Sequence, residues 1–285
     1  MATYASKGDR LQNGTVPPKA IGTMTTSDSI ANAGVGLSAF WKDCPLAASL
    51  IDPGVGYGIQ DDFIDVGLSP TITTIVSGQG RYLLFGSSGA TITPDGVLGG
   101  GLVLTEATNN EAVSITTKQT PFQIESSKGS LWFEARIKTS TITTDEQAWL
   151  IGLVDSTAQT ATVPITATGT IADVNFVGFH HPEANTSAFD ASYKANTVTA
   201  VEVNSDIGTL VAGTYVKLGM KFDTTNNVLS FYVNGALQAT QKAIGAAAGT
   251  DFPDDVTLAP VAAMLLANSA EETITLDWWK CFQAR

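Results

Sequence analysis

From residue 61 to the C-terminus the chain is a succession of short runs rich in Val, Ile, Thr, Phe and Tyr, each closed by Gly, Asn, Asp or Ser. No segment sustains the apolar stripe of a long helix. The runs TITTIV (71–76), RYLLFG (81–86), GLVLTEA (101–107), AVSITTK (112–118), SLWFEARIK (130–138), AWLIGLVD (148–155), NFVGFHH (175–181), ASYKA (191–195) and TVTAVEV (197–203) read as strands. YVKLGMKF (215–222), VLSFYV (228–233) and ALQATQK (236–242) form a meander. Its last turn, Asn234 and Gly235, suits a type I′ hairpin, because both residues tolerate positive φ. LAPVAAMLLA (258–267) and ETITLDWWKCF (272–282) close the chain, and AIGAAAG (243–249) reads as one short helical turn.

So many strands without intervening helices imply antiparallel sheets packed face to face. The fold class is all-β: one large antiparallel jelly-roll β-sandwich over residues 61–285, about twice the ~100 residues of an immunoglobulin-like domain. Residues 1–60, rich in Gly, Pro, Ser and Ala, read as an extended N-terminal arm. The arm contains LSAFWKDCPLAASL (37–50), whose Phe40, Trp41, Leu46 and Leu50 are too apolar to be left in water. Two readings stand open: the cluster packs on the body of the same chain, or these four residues bind a partner.

The 27 acidic and 15 basic residues leave a net charge of −12. The basic residues are scattered, so nucleic acid is a poor partner. No secretory h-region follows Lys7 and Arg10, and no apolar run is long enough to span a membrane. The expectation is a soluble protein made in a cytoplasm. The only cysteines, Cys44 and Cys281, are expected to be free in a reducing compartment; if paired, they would tie the arm to the last strand.

The opening DDFIDV at Asp61, the central SLWFEARIK, the hairpin VLSFYVNGALQAT and the terminal ITLDWWKCF, in that order, resemble the concanavalin A-like lectin/glucanase superfamily. Members often begin with an Asp-Asp-Phe strand and end with an Ile-Asp-aromatic strand beside it; here the latter reads Leu276, Asp277, Trp278. More narrowly, DDF with LWFEARIK resembles jelly-roll virion proteins of tailed bacteriophages, which serve as head decoration or cement proteins or as adhesive modules. The resemblance covers residues 61–285. It implies a virion location, homo-oligomers, and contact with the major capsid protein lattice and neighbouring copies. The alternative it leaves is a carbohydrate-binding module for host surface glycans.

Glucanases of that superfamily resemble Glu-x-Asp-x-x-Glu on their active strand, and a retaining enzyme needs two carboxyl groups ~5–5.5 Å apart. Here Arg136 stands where the second acid would be, on the same strand face as Glu134. The pair is expected to form a surface ion pair, with Leu131, Phe133, Ala135 and Ile137 in the core. His180 and His181 point to opposite faces of a strand, so a zinc site with Glu183 or Asp190 is not expected. GVGYG (54–58) and GVLGGG (96–101) lack the lysine and the strand-loop-helix setting of a P-loop and read as turns. No catalytic residue is assigned and no cofactor is expected. Asp251, Asp254 and Asp255 are the candidates for Ca²⁺, which needs six to eight oxygens. Trp279 is the candidate sugar platform, its neighbour Trp278 facing the other way.

Overall fold

The computed structural model describes residues 40–64, 71–72, 76–86, 89–159, 163–244, 251–268 and 270–285. The strands among them are β1 (Gly56–Asp61), β2 (Thr71–Ile72), β3 (Val76–Gln79), β4 (Tyr82–Gly86), β5 (Ala90–Pro94), β6 (Leu102–Glu106), β7 (Glu111–Thr117), β8 (Leu131–Thr139) and β9 (Gln147–Asp155). They continue with β10 (Phe176–His181), β11 (Ala188–Lys194), β12 (Val201–Thr209), β13 (Val216–Asp223), β14 (Val228–Val233), β15 (Ala236–Ala243), β16 (Leu258–Leu266) and β17 (Glu272–Ala284). All pair antiparallel, in two sheets. The first runs β15-β14-β13-β8-β17-β6-β5-β2, with β1 also on β17, and the second runs β12-β11-β10-β9-β16-β7-β4-β3. This is the jelly-roll sandwich that the alternating pattern predicts.

Leu131, Phe133, Ala135 and Ile137 point inward from β8, as expected, and meet Trp149 and Ile151 of β9 in the core. The hairpin between β14 and β15 turns at Asn234 and Gly235, with φ of 52° and 80°. Differences from the sequence reading are local. TITTIV is two strands rather than one: β2 belongs to the first sheet and β3 to the second. Two strands were missed, β5 and β1. The latter adds residues 56–60, assigned to the arm, together with Asp61 to the edge of β17. Gly56 and Gly58 are not turn residues: a Cβ at Gly56 would lie 2.4 Å from the Phe282 ring, and one at Gly58 2.6 Å from the Cys281 carbonyl oxygen. Residues 1–39 of the arm, and 245–249 of the expected helical turn, lie outside the described residues.

The two terminal motifs meet in the core. The Asp61 carboxylate accepts the Tyr82 hydroxyl and the Phe63 N–H, the latter at 2.7 Å. Phe63, at φ 58°, then turns inward to contact Trp279 with ring centroids 5.5 Å apart. A register shift in β17 between Leu276 and Trp278 leaves Asp277 as an extra residue against β8. Such a bulge reverses the facing of everything after it. Ile274 and Leu276 face inward before it, and Trp279 and Cys281 after it.

A candidate docking face on the first sheet

On a half-wet sheet, the side facing away from the core should be polar. The outer side of the first sheet departs from this at one end, where Trp132 of β8, Tyr232 of β14 and Phe282 of β17 form an apolar bed. Phe40, Trp41 and Cys44 cover it. The Phe40 ring lies 4.9 Å from that of Tyr232, and a Cβ at Gly219 would come within 3.3 Å of it, so glycine leaves room for this approach. Burying Phe40 and Trp41 stabilises the docked segment by roughly 1.5–3 kcal/mol apiece.

Polar contacts fix its register. The Trp41 indole N–H donates to Glu134 Oε2 at 2.6 Å. Lys280 Nζ lies 3.6 Å from the same oxygen and sits over the rings of Trp41 and Trp278, at 4.8 and 4.7 Å. Lys221 pairs with Asp43. The chain then makes one turn of helix, α1 (Leu46–Ser49), and reaches β1. Between α1 and β1 lies a groove of about 210 Å³, lined by Trp41, Leu46, Leu50, Ile59, Lys280 and Phe282 among others.

The expected Glu134–Arg136 surface pair does not form. Glu134 is buried beneath Trp41, and Arg136 instead pairs with Asp277 and stacks over Tyr215 at 4.0 Å. The extra residue of the bulge supplies Arg136 with its partner. Lys138 completes the row, 3.9 Å from Asp95 and 4.9 Å from the Tyr215 ring. Each carboxylate on this face thus meets a cation or an N–H rather than a second acid.

Of the four arm residues, Phe40 and Trp41 are buried against their own chain, Leu46 is half-buried and Leu50 is exposed. For Phe40 and Trp41 the intramolecular reading therefore holds, and a partner cannot reach them in this conformation. Trp279 is not a platform: it is fully buried, and Trp278 is the half-exposed one. Alternation carried on from Leu276 would have placed them the other way round, and the bulge reverses it.

The second sheet is covered on its outer side by residues 163–174, whose Ile165, Ile171 and Val174 pack on Leu150, Val154 and Phe176. His180 and Lys194 hold that cover. His180 Nε2 donates to the Gly169 carbonyl at 2.7 Å, and Lys194 Nζ reaches the Ile171 carbonyl at 3.2 Å and Asp173 at 3.0 Å. Burial depresses the His180 pKa to about 4. Burial lowers that of His181 as well; its Nδ1 donates to the Ala188 carbonyl at 2.7 Å. The two point to opposite faces, as expected. His180 stands across the strand pair from Asp190, which accepts the Asp206 N–H at 2.8 Å, and Glu183 lies beyond the strand end.

Asp251 accepts the Tyr193 hydroxyl at 3.1 Å. The Asp254 pKa is raised, first by burial and then by Asp255 and Glu125. Among the described residues, no three His, Cys, Asp or Glu side chains are placed to hold a metal ion. Cys44 and Cys281 are free and buried, one in the outer cluster and the other in the inner core. Burial pushes the Cys44 thiol up to about 12 and also raises Cys281, which disfavours the reactive thiolate. No described helix is long and apolar enough to cross a membrane.

No protein-family model matches the sequence, and no curated protein matches it. Solved structures do. A Shewanella oneidensis MR-1 protein of unknown function aligns with TM-score 0.52 and 14% identity over 81% of this chain and 87% of its own. Peanut lectin gives 0.52 and 15% over 80% and 97%, and a Bacteroides ovatus GH16 protein of a mixed-linkage glucan locus, solved with a product, gives 0.51 and 10% over 78% and 99%. These neighbours include a legume lectin and a GH16 protein, concanavalin A-like jelly rolls, and the chain shares their jelly-roll β-sandwich fold. At these identities the likeness is one of fold alone.

Proposed function

We propose that the protein is a non-catalytic holding protein of a tailed-bacteriophage particle, a head decoration or cement protein that binds the assembled capsid lattice. The observation that carries this reading is the anchor at Phe40 and Trp41. It fixes Phe40 and Trp41, which follow residues 1–39 in the sequence, on the outer side of the first sheet through a buried indole–carboxylate contact. An extended segment with a fixed root can add backbone hydrogen bonds to a neighbour's sheet edge. Binding only the assembled state then stabilises the shell by mass action. The pairing of Glu134, Asp277 and Asp95 with Lys280, Arg136 and Lys138 supports a role other than acid-base chemistry. The order of the DDF, LWFEARIK and ITLDWWKCF motifs supports the phage setting.

The test is quantitative mass spectrometry of purified particles from a phage that carries this gene, beside a glycan array probed with the isolated protein. The expected result is many copies per head and no tight glycan binding. Absence from the particles would overturn the reading, and specific glycan capture would put the carbohydrate-binding alternative in its place.

A further inference from the structure

Lys194, the last residue of β11, is only 7% exposed, although β11 lies next to the edge of the second sheet, where a lysine ordinarily keeps its ammonium in water. It turns under the cover of residues 163–174 instead, where Nζ donates to the Ile171 carbonyl at 3.2 Å and pairs with Asp173 at 3.0 Å. Asp173 is a weak counter-ion for a buried cation, because its side chain is 74% exposed and water competes for it. Beside Lys194 opens a cavity of about 430 Å³, within the ~300–1,000 Å³ of small-molecule sites. Ile171 of the cover lines it, with Thr197, Val198, Thr199 and Ala200 of the loop that follows β11. The loop is held in an unfavourable shape. Thr197 has φ of 67°, a region that β-branched residues seldom enter. The Asn196 N–H donates to Asn175 Oδ1 at 2.9 Å, the Ala195 N–H to the Asp251 carbonyl at 2.8 Å and the Val198 N–H to the Ala195 carbonyl at 3.2 Å, and these bonds keep it there. Backbone strain held in place beside a buried charge and a cavity is a mark of a binding site.

We propose that this cavity binds a small aliphatic carboxylate, its anion on the ammonium of Lys194 and its hydrocarbon body against Ile171, Val198 and Ala200. An ammonium has three N–H bonds; among the described residues the Ile171 carbonyl and Asp173 take two, and the third serves the ligand. A single lysine suits one carboxylate better than a phosphate, which carries more charge and is held best by several donors or a guanidinium fork. The hydroxyls of Thr197 and Thr199 are the donors for the second carboxylate oxygen. Asp173 competes with the ligand for the same ammonium, and its exposure makes it the partner that gives way. The site lies on the outer side of the second sheet, on the opposite face of the sandwich from the anchor of Phe40 and Trp41. It stands apart from the holding role, and either can fail without the other.

Heteronuclear NMR of the isotope-labelled full chain, titrated with sodium isovalerate, tests the proposal. Amide shifts are expected at residues 170–171 and 194–200, saturating with a dissociation constant of ~1–10 mM, as one ion pair and a short hydrocarbon body allow. Isovaleramide has the same shape without the charge and, with sodium chloride added to equal ionic strength, should produce none of them. Lys194→Met should abolish the shifts. Because that lysine also holds the cover, a second variant is Ala200→Asp, at an exposed position, which sets a carboxylate against the ammonium and should abolish binding with the melting temperature unchanged. Asp173→Asn should tighten binding by up to ~5-fold, since it removes an exposed competitor, a gain that a purely structural lysine would not produce. Absence of shifts in the wild type at about 100 mM isovalerate, equal shifts with isovaleramide, full binding by Ala200→Asp or weaker binding by Asp173→Asn would each overturn the proposal.

Discussion

Glu134 has its carboxylate buried where water cannot replace a lost partner, and Trp41 supplies one of its two contacts. Leaving a buried acceptor short of a donor costs about 1–3 kcal/mol. Trp41→Phe keeps most of the ring and removes the N–H, so urea denaturation should show a loss of that size. The Arg136–Asp277 pair sits nearer solvent, with the arginine side chain 37% exposed, and such pairs contribute ~0–1 kcal/mol. Arg136→Ala should therefore cost less than Trp41→Phe, and the reverse order would contradict this account of the face. The Trp41–Glu134 contact spans 93 positions and leaves no local trace in the sequence. What the sequence did contain was an apolar residue on each side of a strand, Trp132 beside Leu131 and Phe133, and Phe282 beside Cys281. A strand end apolar on both faces has to be covered from outside.

At the scale of elements, the covering segment 163–174 depends on His180 being neutral, with its Nε2–H on the Gly169 carbonyl. The folded-state pKa is depressed from 6.5 to about 4. Between those values the unfolded chain binds a proton that the folded chain does not, so stability is full above about pH 6.5 and falls as the pH drops towards 4. The loss from this group is of order 3 kcal/mol. Urea midpoints should decline across that window, and His180→Gln should flatten the decline in part, with the lowered pKa of His181 acting in the same direction. An equal slope in the variant would show that His180 is not responsible. Most strands were legible because alternation with a wet or loop-covered outer side is a strong local signal. β1 was not, since GYGIQD has glycine where a strand usually has a side chain. Those glycines serve the close approach to Phe282 and Cys281, which only the fold reveals. The bulge at Asp277 was equally silent, and that one extra residue decided which tryptophan is buried.

For the molecule as a whole, residues 40–60 belong with the sandwich, through β1 on β17 and the cluster of Phe40, Trp41 and Cys44. A chain beginning at Asp61 loses β1 and uncovers Trp132, Tyr232 and Phe282; it should melt lower and self-associate through the bared apolar bed, as circular dichroism and light scattering would register. A chain beginning at Phe40 keeps the anchor and should melt with the full protein. The central claim is that the sandwich is a rigid base and residues 1–39 are its grip. Cosedimentation of the full chain and of the chain from Phe40 with assembled phage heads tests this most directly. The account predicts that the full chain pellets with the heads while the shortened, still folded chain stays in the supernatant. Equal pelleting of the two would contradict it.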